Sequence, residues 1–390
     1  MLAYDNIHKS IGILFFVLAL FPWVSFGLNS FDSQPWYIVV GVFFLLLSTP
    51  FIKFSFYSFF AFLVLATGVF LSFVYSFFVS PDFFLLLRGV FSYVGFGLSV
   101  VCYFVFCSRY SAPVFVFLIA NSIYLFVALL QALFDFDFSY LLNQRTTLDR
   151  GVPSLTPEPT YFGILLVFMS WLYIYNSWHF FRYVRVLLFL NLLFIFFVAQ
   201  SSMAILYVIL FGIVAFLFRL NFKFFLFFVG FVLLSFFVLY FFGEGTRPFR
   251  LITYFLDGGL LGLIERDASI NFRVSSVFLP YFSIWQNFFM PGGFAGIYQY
   301  SFDFFDFFNG FFWYGSHVKI MSFFGAFLFE LGIFGLFFWV LVFFRSIISY
   351  RVPFATVICL FLILNSAIPV AFPLVGFLVA AFAVNRQQIN

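Results

Sequence analysis

Charged residues are scarce in this chain. Only 8% of its 390 residues are Asp, Glu, Lys or Arg, whereas 65% are hydrophobic and the mean hydropathy is +1.16. A soluble domain cannot bury so large an apolar fraction, so the composition excludes an ordinary water-soluble protein. It predicts an all-α integral membrane protein with many spans.

Cysteine and histidine are also rare, with three residues of each. Cys102, Cys107 and Cys359 all lie inside apolar runs, which predicts neither a disulfide framework nor a metal site. The sequence contains no Walker loop, no dinucleotide fingerprint, no G-x-S-x-G elbow and no H-E-x-x-H helix. We therefore expect no metal and no cofactor. The 79 phenylalanines indicate a bias at lipid-facing sites, and we expect no nucleic-acid partner.

The apolar runs are long enough to cross a bilayer repeatedly, since a span needs about 20 mostly apolar residues. We predict about twelve spans, at residues 11–28, 36–52, 55–79, 83–107, 112–134, 161–178, 184–199, 203–218, 224–243, 319–344, 352–368 and 373–385. The last two runs could form one re-entrant pair, which leaves eleven spans as an alternative.

Basic residues alternate between successive turns. The turns and termini on one side carry Lys9, Lys53, Arg109, Arg182, Arg185, Arg219, Lys223, Arg345, Arg351 and Arg386. The short turns on the other side, 29–35, 80–82, 200–202 and 369–372, carry no Lys or Arg. By the positive-inside rule, the basic side faces the cytoplasm, and we expect both termini there.

Two long outer loops hold most of the remaining cations. Residues 135–160 contain Arg145 and Arg150, and residues 244–318 contain Arg247, Arg250, Arg266 and Arg273. Arginine binds phosphate oxygens with a planar fork, so these loops suit an anionic, lipid-linked substrate. The alternative is ion pairing with the acidic residues of the same loops, Asp135, Asp137, Asp149, Glu265 and Asp267.

The larger loop is not featureless. From Arg273 onward, apolar residues recur at helical spacing, which predicts a helix lying in the membrane interface with Arg273 at headgroup depth. Beyond the loop, Glu330 is expected about 12 residues into its helix, roughly 18 Å along the helix axis. A carboxylate at that depth needs a partner or a wet cavity.

Four stretches resemble motifs of bacterial O-antigen polymerases (Wzy-type) and O-antigen ligases. DRGVPSLTPEPTYFG (149–163) is similar to their Arg-Gly and Glu-Pro-Ser-x-x-Gly pattern, and AQSSMAILYVILFG (199–212) to their small-polar turn. Arg273, Trp285, Gly293 and Gly296 resemble an Arg…Trp…Gly-x-Gly pattern in a large outer loop. FELGIFGLFFW (329–339) is similar to a Glu-x-Gly signature in the following span.

The resemblance implies a GT-C-like glycosyltransferase that needs neither a nucleotide sugar nor a metal. Its donor and acceptor would be undecaprenyl-pyrophosphate glycans at the periplasmic face of the bacterial inner membrane, and a chain-length regulator is a possible partner. Arg150, Glu158, Arg273 and His317 would form the catalytic set. Arg145, Arg247, Arg250 and Arg266 would assist in binding the pyrophosphate.

Two features distinguish the alternatives. Ligases place a His-Asn pair shortly before the Glu of the last signature, where this chain has Met321 and Ser322, so the sequence favours a polymerase. A lipid-linked oligosaccharide flippase should instead carry its charges along a central cavity, not in two outer loops. Glu158 has a simpler alternative role as an acidic residue that stabilises a helix N-terminus.

Overall fold

The computed structural model describes residues 2–24, 34–49, 55–79, 82–136, 144, 151–219, 222–242, 244, 247–294, 296–313, 320–366 and 368–387. Within these ranges the chain is helical and forms no β-strand, as predicted. The early helices are α1 (Leu2–Leu20), α2 (Trp36–Ser48), α3 (Phe56–Val79), α4 (Phe83–Arg109), α5 (Val114–Phe134), α6 (Pro159–Tyr175), α7 (Arg182–Leu193), α8 (Ser202–Arg219) and α9 (Phe222–Phe242). The later helices are α10 (Arg247–Arg266), α11 (Ala268–Gln286), α12 (Ser301–Phe307), α13 (Phe323–Glu330), α14 (Ile333–Ile348), α15 (Phe354–Leu364) and α16 (Pro373–Gln387).

The chain divides into two compact units, and two of the four divisions between them fall inside α4 and α10. Unit 1 comprises Met1–Ile52, Gly95–Arg250 and Phe372–Asn390. Unit 2 comprises Lys53–Val94 and Leu251–Ala371.

The core of unit 1 is built around one aromatic ring of α16. Phe377 is fully buried, and its ring centroid lies 5.4 Å from that of Phe16, 5.6 Å from Tyr103 and 5.8 Å from Phe117. Gly376 beside it allows close helix contact, because a Cβ there would lie 2.6 Å from Ser99 Cβ. Phenylalanine therefore builds the interior here as well as the lipid-facing surface.

Apolar helices support the membrane class. Among the described residues, α3, α4 and α5 are long and apolar enough to cross a membrane. Shorter apolar helices occur at Trp36–Ser48, Pro159–Tyr175, Ser202–Val214, Ile333–Ile348, Phe354–Leu364 and Pro373–Val384. The chain is thus a helical membrane protein, whereas the twelve spans and their orientation remain predictions.

The predicted span 319–344 is not one helix. It is broken after Glu330, and a new helix begins at Ile333. Gly332 forms the break with φ of 59°, a left-handed conformation that suits glycine. Glu330 is therefore the last residue of a short helix, and its expected position 12 residues into a continuous one is wrong.

The predicted helix in the large loop exists as α11 and begins earlier, at Ala268. In a soluble protein the large apolar residues of a helix face the interior. In α11, two large aromatic residues are exposed and two serines are buried. Phe278 and Trp285 are 50% and 70% exposed, while Ser275 and Ser283 are fully buried. Small polar residues allow helices to approach closely where large apolar ones can face lipid, which explains this arrangement.

Helix α10 was not predicted from the sequence. It has a kink at Gly259, where φ is 63° and ψ is −158°, so it consists of two short helical pieces. Its exposed apolar residues include Leu256, Leu260 and Leu261, at 63–67% exposure. The glycine pair at its centre obscured the helical pattern in the sequence.

Candidate functional site

The segment that leads into α6 is anchored to α5 within unit 1. Ser154 is fully buried with φ of 54°. Its backbone N–H donates to Gln131 Oε1 at 2.6 Å, and its hydroxyl donates to the Tyr124 carbonyl at 2.6 Å. Because both donors of Ser154 are satisfied by α5, the segment has a defined position there.

The start of the same segment lies against a π-helical turn at Phe194–Val198. The Val152 N–H donates to the Val198 carbonyl at 3.1 Å. A Cβ on Gly151 would lie 2.2 Å from the Val198 carbonyl oxygen and 2.5 Å from the Ala199 carbonyl carbon. Only glycine permits this approach of two backbones.

A second glycine brings α6 and α8 together. A Cβ on Gly163 would lie 2.7 Å from the Cβ atoms of both Ser201 and Ala204. The stretches 149–163 and 199–212, which resemble two separate motifs, therefore contact each other at both glycines of the first stretch, Gly151 and Gly163. The sequence did not indicate this pairing.

Glu158 stands at the start of α6. Its extended backbone makes it the N-cap residue, with Pro159 at the first helical position, and its carbonyl accepts the Tyr161 N–H at 3.0 Å. Its side chain makes no capping hydrogen bond and is partly buried. Glu158 does not, then, cap the helix through a side-chain hydrogen bond. Arg145 and Arg150 lie outside the described residues.

Arg273 lies on the buried face of α11, with only 8% of its surface exposed. Burial against other parts of the protein gives no depth in the membrane, so the placement of Arg273 at headgroup depth stays a prediction. Two residues earlier, Asn271 donates to the Phe311 carbonyl at 2.9 Å and accepts the Trp313 N–H at 3.1 Å. The first turn of α11 is thus tied to the end of the 301–313 segment.

The glycine turn after α11 packs against the helix break. The Gly292 N–H donates to the Phe329 carbonyl at 2.9 Å, and the Gly293 N–H donates to the Glu330 carbonyl at 3.3 Å. A Cβ on Gly332 would lie 2.6 Å from the Met290 carbonyl carbon. The Gly-x-Gly and Glu-x-Gly stretches, which are well separated in sequence, therefore contact each other in unit 2.

Glu330 makes contacts with α3 and α4. Its carboxylate accepts the Tyr93 hydroxyl at 2.6 Å, and its backbone carbonyl accepts the Ser72 hydroxyl at 2.6 Å. The expectation that this carboxylate needs a partner is therefore met by Tyr93. Because a hydrogen bond to a charged acceptor is strong in a low-dielectric interior, this pair holds the break in place.

The other predicted arginines are more exposed. Arg250 is exposed, and Arg266 lies 3.5 Å from Asp257 and faces the Tyr254 ring at 6.0 Å. Arg266 thus forms an ion pair, which was the alternative to phosphate binding. Its partner, Asp257, is not one of the acidic residues that the sequence analysis named. The side chain of Arg247 and the whole of His317 lie outside the described residues.

Sequence reasoning missed the serines that hold the glycine turn. Besides Ser72, Ser76 accepts the Phe294 N–H at 2.7 Å. With Gly68, these residues recur every four positions along an otherwise bulky helix, α3, and a Cβ on Gly68 would lie 2.9 Å from Phe334 Cβ. That spacing of small residues could have marked the packed face of α3.

The described part of the chain contains no group of three His, Cys, Asp or Glu residues that could hold a metal. A pocket of about 250 Å³ is lined by α1, α2 and the adjoining residues, including Phe21, Gln34 and Tyr37, and contains none of the predicted site residues. The chain matches no protein-family model, no curated protein and no solved structure with which it was compared.

Proposed function

We propose that this chain is a glycosyltransferase that polymerises lipid-linked oligosaccharide units on the outer face of a bacterial cytoplasmic membrane. The observation that carries the proposal is the pairing of the four resembling stretches. Stretch 149–163 contacts 199–212 in unit 1, and Gly292 and Gly293 contact 329–339 in unit 2. Unrelated loop segments need not pair in this way.

The reaction transfers a glycan from one undecaprenyl pyrophosphate to a sugar hydroxyl of another. The acceptor oxygen forms a bond to the anomeric carbon, the bond from that carbon to the pyrophosphate oxygen breaks, and the acceptor proton passes to a base. Arg150 and Arg273 would stabilise the charge on the leaving pyrophosphate. Glu158 or His317 would take the proton.

Burial of Arg273 supports this role. A charged side chain inside a membrane protein is costly and is typical of a functional position. A positive charge in a low-dielectric site also stabilises a developing anion more than it would in water. Arg250 and Arg266 are exposed and therefore fit a weaker, steering contribution, as would Arg145 and Arg247.

The residues before Glu330 favour a polymerase over a ligase. The ligase His-Asn pair is replaced by Met321 and Ser322. Ser322 is the N-cap of α13, and its hydroxyl oxygen accepts the Gly325 N–H at 3.0 Å. This position therefore has a structural role that needs no acceptor-activating chemistry.

The test is a reconstituted reaction of the full chain with undecaprenyl-pyrophosphate repeat units in the presence of EDTA. We expect a ladder of polymer lengths. Arg273→Lys should abolish most of the ladder at unchanged expression, because lysine lacks the guanidinium fork. Arg182→Lys is the control, since Arg182 is exposed and belongs to the basic turns that we expect on the cytoplasmic side, and it should retain the ladder.

The other outcomes are informative. Transfer only when lipid A core is supplied would make the chain a ligase. Movement of lipid-linked substrate across liposomes without any product would make it a flippase and would remove the proposed site. A normal ladder from Arg273→Lys would assign Arg273 a structural role.

A further inference from the structure

Segment 287–294 follows α11 and contains the glycine turn. It is non-helical and is held by helices of unit 2. Its N–H groups at Gly292, Gly293 and Phe294 donate to the Phe329 carbonyl, the Glu330 carbonyl and Ser76 Oγ. Irregular backbone is tolerated at membrane depth only where protein groups satisfy its hydrogen bonds. Segment 287–294 meets that condition.

The residues of α3 and α4 that contact this segment lie inside their helices, some distance from the helix ends. At about 1.5 Å of rise per residue, Ser76 and Ser72 lie about 5 Å and about 10 Å from the end of α3 at Val79. Gly89 lies about 9 Å from the start of α4 at Phe83, and its missing side chain leaves room for the Phe294 ring.

Helix lengths convert these positions into depths. Helix α3 has 24 residues and is about 36 Å long, whereas the hydrocarbon core of a bilayer is about 30 Å thick. Only about 3 Å at each end of α3 therefore extends beyond the hydrocarbon. The partners of segment 287–294 lie deeper than that.

The chemistry of the segment agrees with this depth. Between Arg273 and Asp303 the sequence contains no Asp, Glu, Lys or Arg. Three side chains there form an exposed apolar ridge, with Trp285 70%, Phe288 86% and Met290 63% exposed. We call these three residues the 285–290 ridge. An apolar ridge of this kind in water would be a costly exposed patch.

The backbone beneath the ridge is held in an unusual conformation. Phe288 and Phe289 both have positive φ, 50° and 60°, which bulky residues rarely adopt. The turn is fixed by the Asn287 amide, which donates to the Met290 carbonyl at 2.8 Å, and by the Ile333 N–H, which donates to the Phe289 carbonyl at 2.9 Å. The fold thus keeps Phe288 directed outward.

We propose that segment 287–294 is a re-entrant loop, and that the 285–290 ridge contacts the acyl chains of the leaflet in which α3 ends and α4 begins. The distribution of basic residues predicts that this is the outer leaflet. The occupant of the ridge is membrane lipid. The inference does not depend on the proposed glycosyltransferase activity, and it extends the predicted membrane contact of the 244–318 loop from the helix that follows Arg273 to segment 287–294.

The test places a single cysteine at Phe288 in a chain whose three buried native cysteines are replaced. The cysteine carries an environment-sensitive fluorophore, and the full chain is reconstituted in liposomes that contain lipids with a nitroxide on the acyl chain. Asp303→Cys is the matched control, because Asp303 is an exposed residue of α12 at the charged end of the same stretch.

We expect the acyl-chain nitroxide to quench the label at position 288 several-fold more strongly than the label at 303. We also expect a charged, impermeant thiol reagent to react several-fold more slowly at position 288. Equal labelling at both positions, with quenching at 288 by aqueous iodide only, would overturn the proposal. If Phe288→Cys is not produced, Met290→Cys carries the same expectations and is judged by the same outcomes.

Discussion

A single methyl group at Gly151 should separate the two motif stretches of unit 1. In Gly151→Ala, the new Cβ would lie 2.2 Å from the Val198 carbonyl oxygen and 2.5 Å from the Ala199 carbonyl carbon. Both are backbone atoms, so no side-chain rotation can relieve the overlap. The segment that follows Gly151 must move away from the π-helical turn at Phe194–Val198.

The magnitude follows from two terms. Overpacking that forces a backbone shift costs about 1–3 kcal/mol. The same shift weakens the hydrogen bond from the Val152 N–H to the Val198 carbonyl, which contributes about 0.5–1.5 kcal/mol. We therefore expect Gly151→Ala to lower the free energy of unfolding by about 2–4 kcal/mol.

The matched control is Gly230→Ala, because a Cβ at Gly230 in α9 has no atom within 4 Å. Alanine is a better helix former than glycine, so this variant should be at least as stable as the natural chain. The assay is thermal and denaturant unfolding of the purified proteins in one detergent, together with protease cleavage near residue 151. Equal stability of the two variants would refute the close approach at Gly151.

Two further predictions address the helix break and the topology. In a double-mutant cycle of Tyr93→Phe and Glu330→Gln, we expect a coupling energy of about 1.5–3 kcal/mol, as for a hydrogen bond to a charged acceptor, and a coupling near zero would contradict the pair. In intact cells, an impermeant thiol reagent should label a cysteine at Tyr300 and not one at Tyr183, if the basic turns are cytoplasmic. The reverse labelling would invert the predicted orientation.

The helical membrane class could be predicted from composition and hydropathy alone. Those signals are local, since each apolar run carries its own tendency to leave water. The helices at Phe56–Val79 and Val114–Phe134 agree closely with the predicted runs 55–79 and 112–134. The roles of Arg150 and His317, which rest on the resemblance, remain predictions outside the described residues.

The break before α14 could not be predicted from its own residues. An unbroken apolar run favours one helix, and a single glycine within it costs only about 1 kcal/mol. The left-handed conformation of Gly332 is favoured because segment 287–294 packs against it, with the Phe289 carbonyl accepting the Ile333 N–H. That contact joins residues far apart in the chain.

The orientation of α11 was likewise decided by tertiary packing. The helical spacing placed Phe278 and Trp285 on one apolar face. Spacing alone does not determine whether such a face contacts protein or lipid. The opposite face is buried because its small residues permit close contact, with Pro280 Cγ only 2.9 Å from where a Cβ on Gly325 would be. Sequence alone determined which residues share a face of α11. Only tertiary packing, such as that of α13 against Pro280, decided which face of α11 lies inside, because close approach depends on the shape of both partners.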